Sequence, residues 1–268
     1  MTDMHTHQSG QLQLAHEESG EGLPVVLLHP FPLDHSYWTP QLTAFVDHCR
    51  IIAPDMRGFG GTPAFPPYNV DRYADDVIAL LDRLSIESAV IGGCSMGGYV
   101  TLALWRRHRD RIRGLMLFDT RARADSEEER LQRAGQIDFA RTHGAAAVAD
   151  VMVPVVLGAT TLERHPEIVE HARYIMMHAT VEGIIGAVEA MMHRPDSDAL
   201  LPTIDVPTLI VCGAEDIATP PAESRHMHDR IPGSVLEIIE GAGHLSSLER
   251  PSAVNHVIRE FLAGLIYA

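Results

Sequence analysis

The chain has 268 residues, 46% of them hydrophobic and 21% charged, which is enough apolar surface for one large core with an insertion and excludes disorder as the default. Its formal charge of -15, with only 21 Lys and Arg, leaves no basic patch for a phosphate backbone or an anionic lipid surface, so neither nucleic acid nor a membrane is expected as a partner. Cys49, Cys94 and Cys212 are too widely spaced for a disulfide framework, and the 16 histidines show no metal-ligand spacing, so no metal, no organic cofactor and a reducing, cytoplasmic setting are expected.

Residues 1–10 are polar, lack the cationic and then apolar regions of a secretory signal, and read as a mobile tail. No apolar run reaches the roughly 20 residues that cross a bilayer. Gln11 to Glu17 alternates polar and apolar residues as an edge strand does, whereas Pro24 to Leu28 and Arg50 to Ala53 are continuously apolar, as strands buried on both faces are. Val70 to Leu84 places Tyr73, Val77, Leu80, Leu81 and Leu84 at helical spacing, with Asp75, Asp76, Asp82 and Arg83 toward water, which predicts a helix covering the sheet. Ser88 to Gly92 and Gly114 to Phe118 are further strands, with a helical pattern through Trp105 between them. From 121 to 195 strand signals cease, and segments such as Glu127 to Thr142 and Glu167 to His178 predict a helical cap over the strand ends, with Pro195 to Pro202 as the return linker. Thr208 to Cys212 and Ser234 to Ile239 resume the strands, and Pro251 opens a last helix where its missing N–H costs nothing. The expectation is an α/β core of 11–120 and 196–268 around a mainly parallel sheet, with 121–195 inserted.

Three segments carry chemistry. Val90 to Tyr99 runs from a buried strand through Gly93-Cys94-Ser95-Met96-Gly97 into a helix, and a serine on so sharp a turn needs small neighbours and presents its hydroxyl. Asp216 follows the strand ending at Cys212, and His244 follows the strand ending at Ile239 in a glycine-flanked loop. A parallel sheet gathers such strand ends at one edge, so Ser95 as nucleophile, His244 as base and Asp216 as orienting acid are the expected catalytic set. Asp119, also just after a strand, is a rival acid. Asp55 is read as bracing the Arg57-Gly58 turn, His29 as a loop-stabilising hydrogen-bond partner, and Met152, Met176, Met177, Met191 and Met192 as packing, some of them lining an apolar pocket.

Together with Leu28-His29-Pro30-Phe31-Pro32, Asp55-Met56-Arg57-Gly58-Phe59-Gly60 and Gly241-Ala242-Gly243-His244, the serine motif makes nearly the whole chain resemble the α/β-hydrolase superfamily. The resemblance implies the α/β-hydrolase fold and oxyanion donors at the N–H groups of Phe31 and Met96. It spans esterases, lactonases and cofactor-free haloperoxidases with perhydrolase activity, whose loop Pro32 resembles; a few such folds serve as small-ligand receptors. Pro30 departs from the family's usual glycine and stiffens that loop. The apolar residues near the triad, Phe31, Pro32, Ile217 and Leu245, are expected to meet the substrate, a small to medium carboxylic ester or, alternatively, an enol-lactone.

Overall fold

A computed structural model describes residues 13–266, so the expected tail, 1–10, lies outside the described residues. Seven strands, β1 (His16–Ser19), β2 (Leu23–Leu28), β3 (Cys49–Pro54), β4 (Ala89–Cys94), β5 (Ile112–Phe118), β6 (Thr208–Gly213) and β7 (Val235–Ile239), form one sheet in the order β1-β3-β2-β4-β5-β6-β7. Only β1 runs antiparallel; every other neighbouring pair is parallel. The C-terminal ends of β2 to β7 therefore lie along one edge, and the loops that leave them meet there.

Strand side chains alternate between two apolar layers. Val26, Leu28, Ile52 and Ile91 belong to one buried cluster, and their sequence neighbours Val25, Leu27, Ile51 and Val90 to the other. Both faces need cover, which is why these strands are apolar runs. The helices supply it: α1 (Thr39–Ala44), α2 (Val70–Arg83), α3 (Met96–His108), α4 (Glu127–Val156), α5 (Ala159–Arg164), α6 (Pro166–Met177), α7 (Val181–Met192), α8 (Pro221–Arg230), α9 (Ser246–Glu249) and α10 (Pro251–Ile266). Tyr73, Val77 and Leu81 of α2 join the first cluster, and Val254, Ile258 and Leu262 of α10 the second; burying each such side chain contributes about 1.5–3 kcal/mol.

Gln11 and Leu12 of the expected edge strand lie outside the described residues, and residues 13–15 are not strand. Ala15 N donates to Thr62 Oγ1 at 2.9 Å and Ala15 O accepts from Asp55 N at 2.8 Å, so this backbone is tied to the Asp55–Thr62 loop and pairing with β3 starts only at His16. Between β5 and β6 the chain forms only helices, α4 to α7 and a 3₁₀ turn at Asp198–Thr203. Helix α4 starts in a capping box of Ser126 and Glu129 and is broken at Gly144 (φ 78°, ψ 177°), two residues beyond the expected helix end at Thr142. No single described helix is long and apolar enough to cross a membrane.

Candidate active site

The turn between β4 and α3 puts Ser95 at φ 52° and ψ -113°, a strained conformation for a residue with a side chain and one that holds only because its surroundings over-determine it. Ser95 N donates to Phe118 O at 3.0 Å, and Thr120 Oγ1 donates to Ser95 O at 2.8 Å, so the end of β5 pins the turn on both sides. The glycines are required by space: a Cβ on Gly93 would stand 2.2 Å from Gly97 O, and one on Gly97 2.2 Å from Leu28 O.

The loops after β6 and β7 bring the partners. His244 Nε2 lies 2.8 Å from Ser95 Oγ, and its Nδ1 lies 2.8 Å from Asp216 Oδ2. Asp216 accepts further bonds from the N–H groups of Ala218 and Thr219 and from Thr219 Oγ1, each at 2.8–2.9 Å. Burial works against the charge on both groups, yet those donors and the neighbouring imidazole hold the Asp216 carboxyl below its ordinary range, while the Asp216 charge and hydrogen bond raise His244 above its own.

Asp119 is fully buried and makes no hydrogen bond to His244. Its carboxyl accepts from Gly213 N at 2.8 Å and lies 2.5 Å from Ser246 Oγ. Burial, and then the nearby Asp216 charge, push its pKa well up, whereas that of Asp216 is held low. The rival acid thus sits under the site as a brace. Asp55 braces likewise, accepting from His35 N and Gly61 N at 2.8 Å, and His29 Nε2 accepts from Met56 N at 3.0 Å.

Glu249 carried no motif, and the structure gives it a place at this site. It is 2% exposed, and its carboxylate accepts from Gly243 N and Gly158 N, each at 2.9 Å. One carboxylate therefore ties the histidine loop to the turn after α4, and His244 N donates to Val156 O at 3.0 Å beside it.

Ser95 and His244 open into a cavity of about 220 Å³ with Phe31, Tyr99, Ala218 and Thr219 at its base. One wall is apolar, made of Met152, Val155 and Val156 of α4 and Met191 of α7. The other is polar: Arg121, with Glu129, Gln132, Arg133 and Gln136 on one face of α4. Of the residues expected to meet substrate only Phe31 reaches the cavity. Leu245, just before α9, is fully buried, Ile217 is 68% exposed and Pro32 is buried, and none of the three lines the cavity. Among the described residues the N–H groups of Phe31 and Met96 have no hydrogen-bond partner, Met96 being the first residue of α3, where helices leave such donors free.

Residues 25–257 match the Alpha/beta hydrolase family. A thermophilic esterase from Thermogutta terrifontis, in a malate-bound structure, is 40% identical and superposes with a TM-score of 0.93 over 97% of each chain. The enol-lactonase from Burkholderia xenovorans LB400 is 34% identical with a TM-score of 0.86, covering 93% of this chain and 96% of its own. The 3-oxoadipate enol-lactonase 2 of Acinetobacter baylyi is 32% identical over 83% of this chain and 82% of its own.

Proposed function

The chain belongs to the Alpha/beta hydrolase family, and from that premise we propose that it is a serine hydrolase cleaving a small carboxylic ester through an acyl-enzyme on Ser95. The observation that carries this reading is the unbroken chain of contacts from Ser95 Oγ through the His244 ring to Asp216, with 2.8 Å at both steps. His244 Nε2 takes the serine proton as Oγ attacks the carbonyl carbon, and Asp216 holds the Nδ1–H tautomer and stabilises the imidazolium. The negative charge that develops on the carbonyl oxygen is met by the N–H groups of Phe31 and Met96, each worth about 3 kcal/mol in such sites. His244 then returns its proton to the leaving alcohol, and water releases the acid by the same path in reverse. Nothing in this sequence calls for a metal or an organic cofactor.

A cavity of about 220 Å³ beside Ser95 and His244 has room for a small acyl group. The helices α4 to α7 act as its cap. A lactone is the second reading, supported by the likeness to two proteins named as enol-lactonases, since a cyclic ester is opened by the same attack. Three cysteines, all buried and unpaired, fit a cytoplasmic enzyme. The test is turnover of a chromogenic short-chain ester against the corresponding lactone, with Ser95 labelled by an alkyl phosphonate and located by mass spectrometry. A protein that neither turns over the ester nor takes the label at Ser95 is a ligand receptor on a hydrolase fold.

A further inference from the structure

The polar wall of the cavity has more positive than negative charge, and its cations are not equally engaged. Four guanidinium groups, Arg121, Arg123, Arg133 and Arg194, share three carboxylates, Asp125, Glu129 and Glu223. Asp125, fully buried, is bonded by three of them: Arg121 and Arg194 at 2.7 Å and Arg133 at 3.1 Å. Arg121 has both terminal nitrogens on carboxylates, Asp125 and Glu129, and Arg194 is stacked 4.0 Å over the Tyr99 ring with its terminal nitrogens on Asp125 and backbone carbonyls. Arg133 differs. Its Nε is on Asp125, its Nη1 makes only a 3.3 Å bond to the neutral amide of Gln136, and among the described residues its Nη2 has no partner. Its side chain is 17% exposed and lines the cavity.

A guanidinium with an unfilled fork, held in a fixed orientation by a buried carboxylate behind it, is suited to bind a carboxylate bidentately. Gln132 and Gln136 flank it on the same face of α4 and offer neutral amide donors. We propose that Arg133, with Gln132 and Gln136, forms an anion subsite, and that the substrate is an ester or lactone whose acyl part carries a second, ionised carboxylate. The apolar wall of Met152, Val155 and Met191 takes the methylenes between the two ends. This specifies the substrate class of the hydrolase reading and rests on it.

The experiment compares the mono-p-nitrophenyl ester of glutaric acid with p-nitrophenyl butyrate, in wild type and in Arg133→Gln and Arg133→Lys. Asp125 retains Arg121 and Arg194 in both variants, so the fold is expected to survive. The wild type should prefer the anionic ester by at least tenfold in kcat/KM, mainly through KM. Arg133→Gln should erase that preference, and Arg133→Lys should restore part of it. In parallel, glutarate should raise the melting temperature of wild type but not of Arg133→Gln, with glutaramide and matched NaCl as controls. Neutral-ester turnover without any preference for the anionic ester, or a preference that survives Arg133→Gln, overturns the subsite and leaves the hydrolase reading standing. Glutarate stabilisation that needs Arg133 in a protein that hydrolyses neither ester nor the corresponding lactone keeps the subsite and removes the hydrolase reading.

Discussion

The loops after β4, β6 and β7 and the helices α4 and α7 enclose the same cavity, but they hold their side chains by different means. In the loops the backbone does the placing: Ser95 is fixed by a positive φ and by bonds from and to its own peptide groups, and Asp216 by the N–H groups of Ala218 and Thr219. Around the ends of the helices side chains place one another, as Asp125, just before α4, does for Arg121, for Arg133 of α4 and for Arg194, just after α7. A site can thus separate the part that must hold reacting atoms within a few tenths of an ångström from the part that only has to suit a ligand. Glu249 joins the two, since it bonds both the histidine loop and the turn after α4.

The sharpest way to break this contrast is Ser95→Ala, which should lower ester kcat/KM by about 10⁴-fold or more while circular dichroism and melting temperature stay near wild type. Residual activity within tenfold of wild type would place the chemistry elsewhere. Asp216→Asn should cost about 10⁴-fold, and Asp119→Asn tenfold or less, because only Asp216 touches the imidazole. The reverse ranking would move the acid to Asp119.

The pH profile refines the same pair. Protonated His244 cannot accept the serine proton, and its pKa is raised above 6.5, so kcat/KM should fall with acid through a midpoint above that value. Asp216 supplies the largest of the charges that raise His244 while burial acts the other way, so Asp216→Asn should move the limb to lower pH, and Asp119→Asn, which removes a lesser raising charge, should move it less.

Glu249→Gln tests the junction. An amide offers one acceptor where two are used, so one of the bonds from Gly158 N or Gly243 N is lost, costing about 1–3 kcal/mol of stability and roughly tenfold in kcat/KM. Unchanged thermal unfolding would show that the loop is held by the Val156 contact alone. The smallest effect is expected at Ile217→Ala, whose exposed side chain lies off the cavity wall; activity within about twofold and stability within about 0.5 kcal/mol are expected, and a selective rise in KM would put the loop back among the substrate contacts.

The contrast also explains what could be read in advance. Ser95, Asp216 and His244 lie on short strand-to-loop turns whose glycines and preceding apolar runs are local in sequence, so motif and fold were legible together. The polar wall was not. Glu129, Gln132, Arg133 and Gln136 form an i, i+3, i+4, i+7 stripe, which in sequence looks like any solvated helix face; Gln132 and Gln136 are indeed exposed, and only the tertiary structure sets the stripe at the edge of the cavity. Ile217 and Leu245 were drawn in by adjacency to Asp216 and His244, but neighbours on a tight turn point away from each other, one to solvent and one to the core. Glu249 had no signal at all: a carboxylate near a helix end is usually solvated, and its burial depends on two loops that are distant in the chain.

The break at Gly144 decides which residues that position accepts. Nothing lies within 4 Å of where its Cβ would be, so it is the backbone torsion, and not lack of space, that calls for glycine there. The rod before it carries Arg133 and its amides; the rod after it ends at Val156, whose carbonyl holds the histidine loop. Both rods line the cavity, the first with Gln132, Arg133 and Gln136 and the second with Met152, Val155 and Val156, so a residue at 144 that cannot take this torsion shifts one lining relative to the other.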